Sequence, residues 1–325
     1  MEKLFIGVDV GGMSIKAGVV NNNGEIIYRK DTSTNVEGGK EVFLKDIKDL
    51  LVSLIKETKE KGIEIIGIGF GIPGVVDNKL GNIDFACNLH MEDVPLAEYL
   101  KDLDLPIYLS NDASVACLAE ERFGGAKGYT NVVLLTLGTG IGGGVVIDDK
   151  LFEGVNGKGT EVGHTTLILD GIKCGCGRLG CFESYASAAA LLRQTKEEML
   201  NNLDSKMWEY AEHDINKVSG KTAFECSKVG DLSAIKVVNN YVKYLSEGVL
   251  NYCNIFRPEI ILLGGGISNQ GDYLTSKVTA YCEERDYGYK RTPKVLIEVA
   301  TLKNDAGIIG AATLAKDNYL ESLKK

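Results

Sequence analysis

Four side chains in this sequence are spaced to suit a tetrahedral cation. His164, Cys174, Cys176 and Cys181 fall in one short stretch as His-x9-Cys-x-Cys-x4-Cys, in a loop punctuated by Gly175, Gly177 and Gly180. Three thiolates and one imidazole close a zinc shell with no position left for water, so the chemistry expected is structural. Reduced free thiols in a surface loop are the plain alternative, and a disulfide a lesser one. The density of ligand types in one short loop favours zinc over both. The remaining cysteines, Cys87, Cys117, Cys226, Cys253 and Cys282, stand mostly on apolar stretches and are expected in the core.

Two glycine turns interrupt apolar runs, Gly11-Gly12 after residues 4–10 and Gly138-Thr139-Gly140 after residues 132–137. Turns of this kind present backbone N–H groups and let a phosphate approach them. Laid one on the other, the two openings match in pattern: Asp9 falls on Thr136, Gly11 on Gly138 and Val19 on Val146, one hairpin plan used twice. Two such turns suit a polyphosphate gripped from both sides. Asp9, two residues ahead of the first turn, suits Mg²⁺ through water, and Thr139 offers its hydroxyl to the same phosphates. The plain alternative is a pair of hairpin turns and nothing more.

Two rival motifs fail on context. Gly138-Thr139-Gly140-Ile141-Gly142-Gly143 has the spacing of the dinucleotide fingerprint. That fingerprint opens a helix, whereas Val145-Val146-Ile147-Asp148-Asp149 continues as strand and turn. Ser219-Gly220-Lys221-Thr222 ends like a Walker A loop, but Ile215 stands where the first glycine belongs; a loop after a helix is expected there. Asp112 opens a helix after Ser110-Asn111, and an Asp there is ordinarily a cap. With Asn111 it also places two polar groups at the carboxyl end of a strand, where ligands of α/β folds sit. A helix N-terminus holds a carboxylate ionised. Taken with the phosphate turns, Asp112 is the candidate general base.

The elements that must hold these groups read as α/β. Residues 4–10, 15–20, 25–30, 63–72, 105–109, 132–137, 145–147 and 259–263 read as strands. Val42, Phe43, Ile47, Leu50, Leu51, Leu54 and Ile55 follow a helical period, and further helices are expected at 113–123, 183–201, 205–218 and 231–256. The chain has 325 residues, 44% hydrophobic and 25% charged, which suits two ordinary domains and excludes a disordered chain. Glycine is abundant at 39 and proline scarce at 5, the balance of a protein built on tight turns. A net charge of −9 without a dense basic stretch argues against a nucleic-acid partner. No apolar run approaches the ~18 residues of a membrane helix, and no signal-peptide pattern opens the chain, so a cytoplasmic setting is expected.

The runs Asp9-Val10-Gly11-Gly12, Asn111-Asp112-Ala113, Leu137-Gly138-Thr139-Gly140-Ile141-Gly142-Gly143-Gly144, Glu161-Val162-Gly163-His164 and Cys174-Gly175-Cys176-Gly177-Arg178-Leu179-Gly180-Cys181-Phe182-Glu183 resemble the ROK family. That family comprises repressors, open reading frames and sugar kinases. The likeness is strongest to its bacterial glucokinases and runs from about residue 4 to Ala312. It implies an α/β, two-lobed actin-like ATPase fold (hexokinase/ribonuclease H-like) with an interlobe cleft. The lobes are expected as 1–113 plus 303–325, and as 114–302 with the zinc-binding loop 161–183.

The resemblance also implies ATP, Mg²⁺ and transfer of the γ-phosphoryl group to a hexose, glucose first, giving glucose 6-phosphate. N-acetylmannosamine, fructose and allose are the alternative acceptors. A non-catalytic sugar sensor is a rival reading. A family repressor is another, and with three residues ahead of the first strand the DNA-binding region it would carry is not expected. By position, Asp112 is implied as the base. Gly74, Asn111, Asp112, Glu161, His164 and Glu183 would bind sugar, with His164 also on zinc through its other ring nitrogen. Asp9, Gly11, Gly12, Lys16, Gly138, Thr139, Gly140, Gly264, Gly265 and Gly266 would bind ATP and Mg²⁺. Asp305-Ala306-Gly307 belongs to the last shared motif, and a homodimer or homotetramer is implied. Two departures stand out: Met13 replaces the usual threonine of the first turn, and His90-Met91 replaces Gly-Trp after Asn88-Leu89.

Overall fold

A computed structural model describes residues 2–288 and 290–324. The first glycine turn does join two strands, β1 (Glu2–Val10) and β2 (Ser14–Val20), and β3 (Ile26–Ser33) continues the antiparallel meander. Helix α1 (Gly39–Glu60) turns Phe43, Leu44, Ile47, Leu50, Leu51 and Leu54 inward as one apolar stripe, the spacing that makes it a helix. It crosses to β4 (Ile63–Ile72), which runs parallel to β1. A small antiparallel sheet follows, β5 (Val75–Asp77), β6 (Asn82–Ala86) and β7 (Met91–Val94), then the short α2 (Leu96–Tyr99). Strand β8 (Ile107–Asn111) lies parallel to β4 and feeds α3 (Asp112–Phe123). The main sheet here has the order β3-β2-β1-β4-β8.

The plan then repeats with β9 (Val132–Leu137), the second glycine turn and β10 (Ile141–Ile147), followed by β11 (Lys150–Leu151). Helices α4 (Glu183–Ala186), α5 (Ala188–Asn201), α6 (Lys206–Tyr210), α7 (Thr222–Lys228) and α8 (Leu232–Phe256) come next. Strand β12 (Ile260–Gly264) lies parallel to β9 and, after α9 (Asp272–Arg285), to β13 (Leu296–Val299). The chain closes on α10 (Ala306–Ser322).

Several elements differ from the sequence expectation. The helix expected over 183–201 is two helices, because Ser187 takes an extended conformation and caps α5 by accepting from the Ala190 N–H. Only Lys206–Tyr210 of the helix expected at 205–218 forms, followed by a 3₁₀ turn at Ile215–Lys217. Ser219-Gly220-Lys221 leads into α7 instead of trailing a long helix. Cys117, Cys226, Cys253 and Cys282 are buried as expected, but Cys87 is exposed.

Contacts divide the chain into two compact units: Met1–Thr130 with Gly144–Thr160 and Thr301–Lys325, and Asn131–Gly143 with Glu161–Ala300. A division at 113/114 would cut α3 inside its first turn. Within the first unit α10 returns to pack on α3, β1 and β4. It comes so near that a Cβ on Gly7 would lie 1.9 Å from the Ile308 carbonyl oxygen, and one on Gly69 1.8 Å from that of Ala311. The fully buried Glu120 of α3 secures the return, accepting from the N–H groups of Gly125 and Leu302, both at 2.7 Å, and from the Thr301 hydroxyl. Charge-assisted bonds of this kind are the strong ones.

Candidate active site

In the first unit, pairing and register gather Asp9, Lys16, Asn111 and Asp112 at one end of the main sheet. Asp9 is opposite Lys16 on β2 and beside Gly71 on β4, and Ile72 is paired with Asn111. Asn111, not Asp112, caps α3: its Oδ1 accepts from the Ala113 N–H at 2.9 Å. Its Nδ2 donates to the Gly74 carbonyl at 3.1 Å, tying two expected sugar contacts together. Asp112 is the first helical residue, with one oxygen on the Ala113 N–H at 2.8 Å. The capping role that offered a plain explanation for Asp112 therefore falls to its neighbour.

The electrostatics differ from the expectation that the helix end keeps Asp112 readily ionised. Burial pushes its carboxyl above the usual range, and the N–H bonds only partly offset this. Asp9 is raised to about 6, chiefly by burial and further by the charge of Asp112, while Lys16 and Arg29 pull it down. Two acids held reluctant to ionise, beside one lysine, are a place where a cation is welcome. Gly307, in the first turn of α10, lies flush against Asp9, so a Cβ there would come within 2.6 Å of its carboxyl carbon.

In the second unit, the ligand atoms of His164, Cys174, Cys176 and Cys181 lie within 4.8 Å of one another. His164 Nδ1 is 3.7 Å from Cys174 Sγ, and Cys176 Sγ is 3.7 Å from Cys181 Sγ. A tetrahedron with metal–sulfur bonds of about 2.3 Å has edges of about 3.8 Å, so the donor set fits zinc in kind and in size. The loop is pinned at both ends. A 3₁₀ turn closes Glu161 to His164, Phe182 N–H donates to the Thr165 carbonyl, and the buried Tyr252 of α8 donates to the Val162 carbonyl. Glu161 and Thr139 are exposed.

Gly264 is paired with Thr136, and Gly265 packs on the backbone of Leu137, which brings the third glycine run beside the second turn. The turns themselves use part of what they were expected to offer. The Gly11 N–H donates to the Ser14 carbonyl and the Gly138 N–H to that of Gly140. Among the described residues, the amides left for a phosphate are those of Gly12 and Met13 in one turn and Thr139 and Gly140 in the other.

Several supporting groups escaped the sequence reading. Glu153 bonds Ser110, the residue before Asn111, and Asn78 at 3.3 Å, and burial raises its carboxyl. Tyr252 and Glu120 were equally silent; an acid inside the apolar run of α3 was the one available hint. His90 is exposed, with left-handed backbone closing the turn Cys87–Leu89.

The sequence model of the ROK family matches residues 5–318. This chain belongs to the ROK family. Among its relatives, the glucokinase of Thermotoga maritima is 36% identical over 325 residues, covering 98% of this chain and 99% of its own. That of Halalkalibacterium halodurans is 35% identical over 98% of both chains. A ROK family glucokinase from Streptomyces griseus, solved in complex with glucose and AMPPNP, superposes with a TM-score of 0.80 at 31% identity, over 97% of this chain and 99% of that one. The fold is accordingly the two-lobed actin-like ATPase fold of the ROK kinases. Among the described residues no helix is long and apolar enough to cross a membrane.

Proposed function

We propose that this ROK protein is an ATP-dependent hexose kinase that phosphorylates D-glucose at its 6-hydroxyl. The observation that carries the reading is Asp112, which begins α3 beside Asn111 and within the field of Asp9. Asp112 takes the proton of the sugar hydroxyl as the oxygen attacks the γ-phosphorus. Burial raises its proton affinity, which suits it to that task once a hydroxyl is in place. Asn111, with its amide fixed on the Gly74 carbonyl, orients a neighbouring hydroxyl. Asp9 would hold Mg²⁺, whose charge would offset the negative charge that spreads over the phosphoryl oxygens in a loose transition state. Lys16, Gly11 and Gly12 serve the same phosphates in the first unit. Gly138, Thr139 and Gly140 serve them in the second, where Gly264, Gly265 and Gly266 take the adenosine.

Cys174, Cys176, Cys181 and His164 would hold a structural zinc that keeps Glu161, His164 and Glu183 in place for the sugar. The reading carries with it a cytoplasmic setting, where thiols stay reduced and available to a metal, and a homodimer or homotetramer. A second acceptor, N-acetylmannosamine, fructose or allose, is favoured only by the departure at His90-Met91. A coupled ADP-release assay over a panel of hexoses and N-acetylhexosamines tests the proposal. Glucose should give the highest kcat/KM. ADP release independent of every sugar would overturn the kinase reading, and sugar binding without turnover would leave a sensor.

A further inference from the structure

The two oxygens of Glu183, the first residue of α4, engage two different parts of the second unit. One accepts from the Cys174 thiol at 2.9 Å, a bond that is given up when the thiolate takes a metal, and lies 3.6 Å from His164 Nδ1. The other accepts from the Ile141 N–H at 3.3 Å, immediately after the second glycine turn. That same oxygen occupies the space where a Cβ on Gly140 would stand, at 2.4 Å. The next helix repeats the attachment, since the Ala188 N–H donates to the Gly138 carbonyl at 2.8 Å. Positions 183–188 thus hold both ends of a turn that lies far earlier in the chain.

We propose that Glu183 is a positioning residue for the nucleotide as well as a sugar contact. In this view it ties the metal-binding loop to the second phosphate turn, and Gly140 is a glycine so that this carboxylate can reach the backbone. The physical case is one of stiffness. A turn of Gly138, Thr139 and Gly140 has much backbone freedom to lose, and amides aimed at a phosphate help only if they are aimed beforehand. A carboxylate on the Ile141 N–H, at 3.3 Å, makes a charge-assisted bond, and the main chain of Glu183 directly continues a loop pinned at Val162 and Thr165. Sugar reading and phosphate reading would then share one side chain. This rests on the kinase reading for its meaning, though not for its test.

The test uses the full chain with Glu183→Ala, Glu183→Gln and Gly140→Ala, each checked for bound zinc and melting temperature. AMPPNP with Mg²⁺ is titrated without sugar, and backbone hydrogen exchange is followed at residues 138–142. Glu183→Ala should weaken AMPPNP about tenfold, the scale of one charge-assisted bond, and speed exchange at Ile141. Glu183→Gln keeps an oxygen for that N–H, so it should restore both readouts while the sugar KM stays high. Gly140→Ala, in the phosphate turn, should raise the sugar KM by displacing the carboxylate, and should add nothing to that KM on top of Glu183→Ala. Unchanged AMPPNP affinity together with unchanged exchange at Ile141 in Glu183→Ala would overturn the proposal. If Glu183→Ala does not fold, an unaltered sugar KM in Gly140→Ala would do so. Wild-type protein that binds no AMPPNP would sink the kinase reading, and exchange at Ile141 would still decide the coupling.

Discussion

The two glycine turns follow one plan and differ in what stands behind them. In the first, Asp9 precedes the turn and is raised to about 6, Thr34 bonds the Gly11 carbonyl at 2.6 Å, and the Met13 side chain is 90% exposed. At the matching places of the second turn stand Thr136, whose hydroxyl accepts from the Gly142 N–H, and Gly140, where the Glu183 carboxylate fills the place of a Cβ. The first turn is therefore acidic and open, and needs a cation to meet a phosphate. The second is uncharged in itself and braced from behind by Glu183 and the start of α5. On the proposed reading, a repeated backbone plan takes on two jobs through a few side chains, metal-assisted charge neutralisation in one unit and preorganised amides in the other.

The comparison can be broken hardest at the acidic side. Asp112→Asn keeps the shape and loses the proton acceptor, so turnover should fall ~10²–10⁴-fold with the sugar KM little changed. Steady-state kinetics with quantified active protein check this.

Asp9→Asn should lower kcat about a hundredfold by removing the Mg²⁺ partner, a loss typical of a preorganised electrostatic contact. It should also stabilise the ligand-free fold. The folded protein holds a proton on Asp9 up to about pH 6, whereas the unfolded chain releases it near the ordinary value of 3.8. Folding is thus favoured by acid over this window, and at pH 7 this ionised group costs up to about 3 kcal/mol. Urea melts without Mg²⁺ should show the variant more stable than wild type at pH 7, with the gap closing as pH falls towards 4.

On the braced side, Cys176→Ser or chelation should remove one zinc per chain and raise the sugar KM about tenfold or more, the range for a disturbed metal shell. Through Glu183 the ATP KM should rise too, by less. Elemental analysis alongside kinetics checks both parts. The smallest effect belongs to Met13→Thr. A hydroxyl added to an exposed turn should lower the ATP KM by no more than about threefold, the worth of one ordinary hydrogen bond, and leave the sugar KM alone.

What could be read from the sequence was what is local in it. A strand, a glycine turn and a strand show themselves in one short run, and so does a cluster of His and Cys. Asn111 and Asp112 were visible together, but which of them caps α3 depends on side-chain directions that spacing does not reveal. The small strands β5, β6 and β7 carry only three to five residues each, too few for an alternating pattern to register. Glu153 behind Ser110, Tyr252 behind Val162 and Glu183 behind Ile141 are contacts across 43, 90 and 42 residues, made by tertiary packing alone.

The most direct test of the central claim is ³¹P NMR of a reaction containing glucose, ATP and Mg²⁺, run with wild type and with Asp112→Asn. The account predicts a 6-phosphoryl ester of glucose formed one for one with ADP by the wild type, and almost none by the variant. ADP without a sugar phosphate, or equal ester formation by both proteins, would contradict it.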